Sequence, residues 1–310
     1  MDLSIIVPAY NEEKNIKKLY EKLKNSLKKT KKSYEIIFID DGSTDKTFQI
    51  IKNISKKEKK VKAISFYKNF GKSAAYMAGF EICSGDIIIT MDSDLQDDPS
   101  EIPNFIKKIK DYDLVVGWKH ERKDPLFKTL PSKIFNMFNS LLFDINLKDN
   151  DSGYKAMKKE VIETLNLYGD LYRYIPAIVA NYGYTVSEIK VKHHKRKHGK
   201  SKYGYLRLIT GSLDLLTVKF ITHFNQRPLH LFGIAGIFSF IFGFFAELIV
   251  LYYRILLKHP FAKHLALLIL GVLLILLGVQ LVSIGLIGEL VISREKKHKS
   301  YKIKKTLNFG

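Results

Sequence analysis

The chain has 310 residues, 46% hydrophobic and 26% charged, a balance that supports a packed core and excludes a disordered chain. A single cysteine, Cys83, excludes a disulfide scaffold and a cysteine-ligated zinc site. The formal net charge of +20 points to an anionic partner: nucleic acid, lipid headgroups or a phosphorylated substrate.

Met1 and Asp2 lead straight into Leu3-Ser4-Ile5-Ile6-Val7-Pro8, which reads as a buried strand and not as a secretory leader. Apolar runs at 4–7, 35–39, 63–66, 87–91 and 114–117 predict strands, and helical periodicity predicts helices over 12–27, 47–56 and 73–82. Strands alternating with helices imply an α/β domain with a mostly parallel, Rossmann-like sheet over residues 1–225, its ligands at the carboxyl ends of the strands. Within 203–226, Leu206, Ile209, Leu213, Leu216 and Phe220 recur at helical spacing after Tyr203 and Tyr205. That pattern fits a helix lying on a bilayer surface or an ordinary packed helix.

From residue 229 the composition changes. Residues 265–288 carry no formal charge over 24 residues, about 36 Å as a helix against a hydrocarbon core of about 30 Å. Residues 229–253 are almost as apolar, interrupted by Glu247, which should face a partner helix or an interface. The region 229–293 therefore reads as two membrane spans. The tail 294–310 carries Arg294, Lys296, Lys297, Lys299, Lys302, Lys304 and Lys305 against Glu295. By the positive-inside rule, the large domain and both termini lie on the cytoplasmic side of the cell membrane. Gly271, Gly278 and Gly285, seven residues apart, would let a span pack closely against a neighbour, which is compatible with a homo-oligomer and leaves the oligomeric state open.

Three predicted strands end in carboxylates. The run Ile88-Ile89-Thr90-Met91 is followed by Asp92-Ser93-Asp94-Leu95-Gln96. If the chain stays extended, Asp92, Asp94 and Gln96 project to one side and could hold a hard divalent ion, Mg²⁺ or Mn²⁺. A second strand ends in Asp40-Asp41-Gly42-Ser43-Thr44-Asp45, where Asp40 could read a nucleotide's polar edge while Asp45 and Ser43 need only cap the next helix. The first ends in Val7-Pro8-Ala9-Tyr10-Asn11-Glu12-Glu13. Neither Gly-x-Gly-x-x-Gly nor the Walker pattern occurs, so bound phosphates must be neutralised by metal and basic side chains. Residues 190–202 hold seven basic residues and no acidic one. Lying just before the first span in sequence, they suit anionic headgroups and a lipid phosphate better than nucleic acid. His193, His194 and His198 read as surface histidines, with no cysteine or carboxylate nearby to complete a zinc site.

In order along the chain, Ile5-Ile6-Val7-Pro8-Ala9-Tyr10-Asn11-Glu12, Asp40-Asp41-Gly42-Ser43-Thr44-Asp45, Asn69-Phe70-Gly71-Lys72 and Asp92-Ser93-Asp94-Leu95-Gln96-Asp97-Asp98-Pro99 resemble the motifs of glycosyltransferase family 2. Asp149-Asn150-Asp151-Ser152-Gly153-Tyr154-Lys155 and the basic Gly199-Lys200-Ser201-Lys202 loop narrow the resemblance to the polyprenyl-phosphate glycosyltransferases, such as dolichol-phosphate mannose synthase and undecaprenyl-phosphate glucosyltransferases. The resemblance implies a GT-A domain, a UDP- or GDP-sugar donor, a polyprenyl phosphate acceptor and an inverting transfer. It implies that Pro8, Ala9, Tyr10, Asn11, Glu12, Asp40, Lys72, Asp92 and Ser93 bind the donor, and that Asp92, Asp94 and Gln96 hold Mg²⁺ or Mn²⁺. Arg122, Lys133, Lys155, Arg196, Ser201 and Lys202 become the candidate phosphate and acceptor ligands. Tyr154 and Lys155 depart from the commoner Phe and Arg, and lysine gives up bidentate phosphate binding. Asp94, Asp149 and Asp151 are the candidate catalytic carboxylates. A phosphate monoester is mostly deprotonated at neutral pH and needs no base, so Asp149 is expected to orient the acceptor or a basic phosphate ligand. The alternatives are a family 2 transferase with another saccharide or lipid-linked acceptor, and a membrane-tethered nucleic-acid or lipid binder. Processive synthases of the family carry Gln-x-x-Arg-Trp, whereas the only tryptophan here, Trp118, stands in Val-Val-Gly-Trp-Lys.

Overall fold

The structure is a computed structural model, which describes residues 1–119, 147–149, 151–194, 228–294 and 303–307. Arg122, Lys133, Arg196, Ser201 and Lys202, with the expected interfacial helix, lie outside the described residues. The chain divides into two compact units, one containing the N-terminal part together with the C-terminal end, the other formed by the long apolar helices.

The first unit is built on β1 (Leu3–Ala9), α1 (Ile16–Lys29), β2 (Tyr34–Asp40), α2 (Thr47–Lys57), β3 (Val61–Phe66), α3 (Lys72–Ile82) and β4 (Ile87–Thr90). These are the expected alternation of strands and helices, and the strands are mostly apolar because both faces are covered, interrupted by polar residues such as Ser4, Glu35 and Lys62. Helix α1 begins at Ile16, four residues later than its periodicity suggests. Asn11 takes a left-handed backbone (φ 57°), which excludes it from a helix. Further along come α4 (Ile102–Lys108), β5 (Leu114–Lys119), β6 (Lys155–Lys158), α5 (Lys159–Glu163), α6 (Ile175–Asn181) and β7 (Val186–Val191).

The eight strands lie in the order β7-β5-β6-β4-β1-β2-β3-β8, where β8 is Ile303–Leu307. Strands β4, β1, β2 and β3 are parallel, β6 runs antiparallel to β4 and β5, and β8 runs antiparallel to β3. On one face Ile6, Ile37 and Ile64 pack with Tyr76 of α3, Val161 of α5 and Val179 of α6. On the other, Ile5, Val7 and Phe38 pack with Leu19 of α1, Ile51 of α2 and Phe105 of α4. Each such fully buried side chain contributes about 1.5–3 kcal/mol. The connection from β1 to β2 and that from β3 to β4 leave β1 with neighbours on opposite sides, so a crevice opens between the carboxyl ends of β1 and β4.

The second unit holds α7 (Pro228–Ile255) and α8 (Leu265–Arg294), both long and apolar enough to cross a membrane. Their large side chains, Phe238, Phe242, Phe245 and Leu276 among them, face outward, as lipid-facing residues do. Glu247 instead turns toward α8, its Oε1 where a Cβ on Gly271 would stand. The glycine stripe has its packing neighbour within the chain. Gly271, Gly278 and Gly285 are used within the chain: a Cβ on Gly278 would meet the Gly236 carbonyl oxygen at 2.6 Å, and one on Gly285 would meet Leu229. The small residues let α7 and α8 approach backbone to backbone.

Candidate active site

The residues at the end of β1 interlock with those after β2. Ala9 is in register with Asp40. The Asn11 N–H donates to Ser43 Oγ (2.9 Å), the Thr44 N–H to Asn11 Oδ1 (2.8 Å) and the Glu12 N–H to Thr47 Oγ1 (2.8 Å). The Thr47 N–H donates to Asp45 Oδ1 (2.9 Å), the capping role foreseen for Asp45. Asp40 is 1% exposed, its carboxylate accepting from Ser65 Oγ (2.8 Å) and the Ser43 N–H (3.2 Å). Asp41 accepts from the N–H groups of Phe70 (2.7 Å) and Gly71 (3.0 Å), and so fixes the turn that precedes Lys72. Pro8, Ala9, Tyr10, Asn11, Glu12 and Asp40 thus form one rigid rim, in which Tyr10 and Asn11 keep exposed surface.

Across the crevice, Asp92 follows β4. Its Oδ1 is in contact with the Lys72 ammonium at the start of α3. Burial raises the Asp92 carboxyl, but Lys72, then Lys119 and Lys155, outweigh it and hold the group below the usual carboxylate range. Lys72 in turn stays protonated well above an ordinary lysine, because the Asp92 charge outweighs the cost of burial. The rings of Tyr172 (5.1 Å) and Tyr76 (5.6 Å) frame its ammonium. Gly153 lies directly behind: a Cβ there would stand 2.7 Å from Asp92 Oδ1 and 2.8 Å from Oδ2.

The segment after β4 departs from the extended form on which convergence of Asp92, Asp94 and Gln96 depended. Leu95 takes φ 64°, and the buried Asp94 accepts the Gln96 N–H (3.0 Å) in a tight turn. The Gln96 amide is carried to His193 Nε2 (3.3 Å), and the His194 N–H donates to the Gln96 carbonyl (2.8 Å). Gln96 therefore joins the acidic turn to the start of the basic segment instead of lining up with Asp92. His193 is half-buried in that junction, which also corrects its reading as a surface histidine, while His194 pairs with Asp98 (2.8 Å). Burial works against the Asp98 charge, but His194 and Ser100 bring its carboxyl down to about 2. Ser93 is buried beside Asp92.

The third part is the acidic segment before β6. Asp149 is buried and accepts the Lys119 N–H at 3.5 Å. Asp151 takes Arg173 Nη1 on both oxygens (3.2 and 3.3 Å), and Arg173 Nη2 also reaches Asp170 (3.4 Å). Arg173 is buried, and spacing gave no sign of it; the only local signal is a charge inside Leu171-Tyr172-Arg173-Tyr174-Ile175. Lys155 is wholly buried on β6, its ammonium donating to the Ser152 carbonyl. Burial and then the Lys72 charge bring it down to about 8, against the pull of Asp151, Asp92 and Asp149. Tyr154 is buried against Phe105 (4.4 Å between ring centres) and donates to the Asp98 carbonyl (3.2 Å). The loops after β1, β2, β3 and β4 and the segment before β6 thus meet at one edge of the sheet. Among the described residues no group of three or more histidine, cysteine or acidic side chains could hold a metal by itself.

The profile described as Glycosyl transferase family 2 matches residues 4–165. The chain is 34% identical over 300 residues to dodecaprenyl-phosphate galacturonate synthase of Rhizobium johnstonii, covering 94% of this chain and 88% of that protein. It is 31% identical over 289 residues to undecaprenyl-phosphate 4-deoxy-4-formamido-L-arabinose transferase of Pseudomonas fluorescens, covering 93% and 84%. Among solved structures it resembles glucosyl-3-phosphoglycerate synthase of Mycobacterium tuberculosis in complex with Mn²⁺, UDP-glucose and phosphoglyceric acid (19% identity, TM-score 0.53, 71% of this chain and 79% of that one). It also resembles mannosyl-3-phosphoglycerate synthase of Rubrobacter xylanophilus (12% identity, TM-score 0.56, 71% and 74%). At these identities the likeness is one of fold: a GT-A domain.

Proposed function

This chain belongs to glycosyl transferase family 2, and from that premise we propose that it is a membrane-bound enzyme moving a hexose from a UDP- or GDP-sugar to a polyprenyl phosphate. The observation that carries the reading is the meeting of the β1, β2 and β4 ends around Lys72 and Asp92, in a chain whose relatives over nearly its whole length are named for polyprenyl-phosphate sugar synthesis or transfer.

An oxygen of the lipid phosphate attacks the anomeric carbon as the bond from that carbon to the donor diphosphate breaks. The electron pair departs with the nucleoside diphosphate, and the sugar inverts. With its second pKa near 6, the attacking phosphate arrives deprotonated, so no side chain need take a proton. Asp149 and Asp151 act by position: Asp151 fixes Arg173, and Asp149 fixes the backbone at Lys119. The rim from Pro8 to Glu12, with Asp40, holds the base and ribose, and Lys72 meets the diphosphate.

The donor set suits a hard cation, and the space left by Gly153 around the Asp92 carboxylate is a cradle that any larger residue would fill. Asp92 and Asp94 would hold Mg²⁺ or Mn²⁺, with the remaining positions left to the diphosphate and water, the usual arrangement for Mg²⁺. When bound, such an ion stabilises charge on the departing diphosphate. The pairing of β8 with β3 supports a two-span topology, because residues before α7 and after α8 then share one sheet and one side of the bilayer. The lysine-rich tail supports the cytoplasmic side, facing anionic headgroups.

The test is a panel of radiolabelled nucleotide sugars offered to the full-length protein with Mg²⁺ or Mn²⁺ and undecaprenyl or dolichyl phosphate. The expected result is label in the organic phase for one donor, and none without the lipid phosphate. Label passing to water or to a soluble saccharide alone would contradict the acceptor.

A further inference from the structure

We propose that Lys72 is the resident counter-ion of Asp92, occupying its carboxylate until a divalent cation and the donor diphosphate arrive together, so that metal binding depends on nucleotide. The proposal rests on the reading of Asp92 as a metal ligand, not on the identity of the acceptor. Three observations carry it. The Lys72 ammonium is in contact with Asp92 Oδ1, one of the two oxygens open to a cation. It is held there by construction: Lys72 is the first residue of α3, the Asp41 carboxylate fixes the turn before it, and the Tyr172 N–H donates to Ser73 Oγ (3.2 Å), which keeps the framing ring in place. Two further ammonium groups act on the same carboxylate, that of Lys119, 3.6 Å from Asp97, and that of Lys155, wholly buried on β6.

A divalent ion on the same carboxylate would meet the ammonium at contact distance in a partly buried site, where repulsion is poorly screened. A diphosphate removes the conflict, because its oxygens accept both the metal and the released ammonium. Lys72 therefore does two things in sequence: it neutralises Asp92 in the empty enzyme and binds the donor in the loaded one.

The experiment measures Mn²⁺ binding to the full-length protein in nanodiscs by the loss of the free Mn²⁺ paramagnetic signal, first with Mn²⁺ alone and then with UDP or GDP. The wild type is expected to bind Mn²⁺ weakly alone and more tightly with nucleotide. Lys72→Met should bind Mn²⁺ alone roughly tenfold more tightly than wild type and lose most of the nucleotide-dependent gain. Lys72→Arg, which keeps the cation, should behave as wild type, and Asp92→Asn should abolish the gain given by Lys72→Met. A Lys72→Met protein that binds Mn²⁺ alone no more tightly, or whose gain survives Asp92→Asn, overturns the proposal. Because binding is read without acceptor, a protein that passes this test yet transfers nothing to a polyprenyl phosphate overturns the acceptor assignment and leaves the role of Lys72 standing.

Discussion

A methyl group on Gly153 would occupy the place of the Asp92 carboxylate, so the absence of a side chain there is a condition of the site. Gly153→Ala should push Asp92 away from Lys72 and lower transfer at least tenfold, with a stability cost of about 1–3 kcal/mol. Activity and thermal unfolding measured side by side check it; unchanged transfer would mean the Asp92 position is not critical. Lys155 is the other residue whose surroundings define it. Its folded-state pKa of about 8 lies below the ordinary value of 10.5, so between these limits the unfolded chain binds more protons than the native one. Its contribution therefore penalises folding most below about pH 8 and is relieved as pH rises toward 10.5. Wild type should gain stability relative to Lys155→Met across that window, measured as the difference in Tm at pH 7.5 and pH 10. A difference that stays flat would contradict a depressed lysine.

The parallel strands β1 to β4 were legible because a strand buried on both faces is mostly apolar, and Ile5–Val7 and Ile36–Ile39 are written that way. Strand β6 was not: its four residues are Lys-Ala-Met-Lys, and only tertiary partners make Lys155 an interior residue. The turn at Leu95 was equally hidden, since a leucine with positive φ has no sequence signal and yet decides where Gln96 points. The acidic strand ends were visible as a pattern, whereas the partners that position them, Arg173 on Asp151 and Lys72 on Asp92, come from distant segments. Strand β8 is the extreme case, pairing residues about 240 positions apart, which no local period can reveal. It covers the edge beside Ser65, whose hydroxyl binds Asp40, and the register shifts between Ser65 and Phe66. Deletion of residues 303–310 should leave that edge unpaired and speed hydrogen exchange at Ala63, Ile64 and Ser65 by tenfold or more. Exchange unchanged by the deletion would show that β3 does not depend on the tail.

The two units divide the work that the composition foreshadowed. The basic, α/β part assembles carboxylates and ammonium groups at one edge of a sheet, and the apolar part presents phenylalanine and leucine outward along two helices. At the lower edge of the sheet, remote from the crevice, Glu35 gathers Ser4 Oγ (2.6 Å), the Ser84 N–H (2.7 Å) and Lys62 (2.8 Å). That satisfied network fixes the starts of β1, β2 and β4, and with them the positions of the opposite ends where the site lies. The proposed function depends on Asp92 serving a transfer to lipid. The direct measurement compares full-length wild type with Asp92→Asn for radiolabelled sugar carried into the organic phase on polyprenyl phosphate. The expected result is transfer by the wild type and a loss of at least a hundredfold in the variant, with its circular dichroism unchanged. Equal transfer by the two proteins would contradict it.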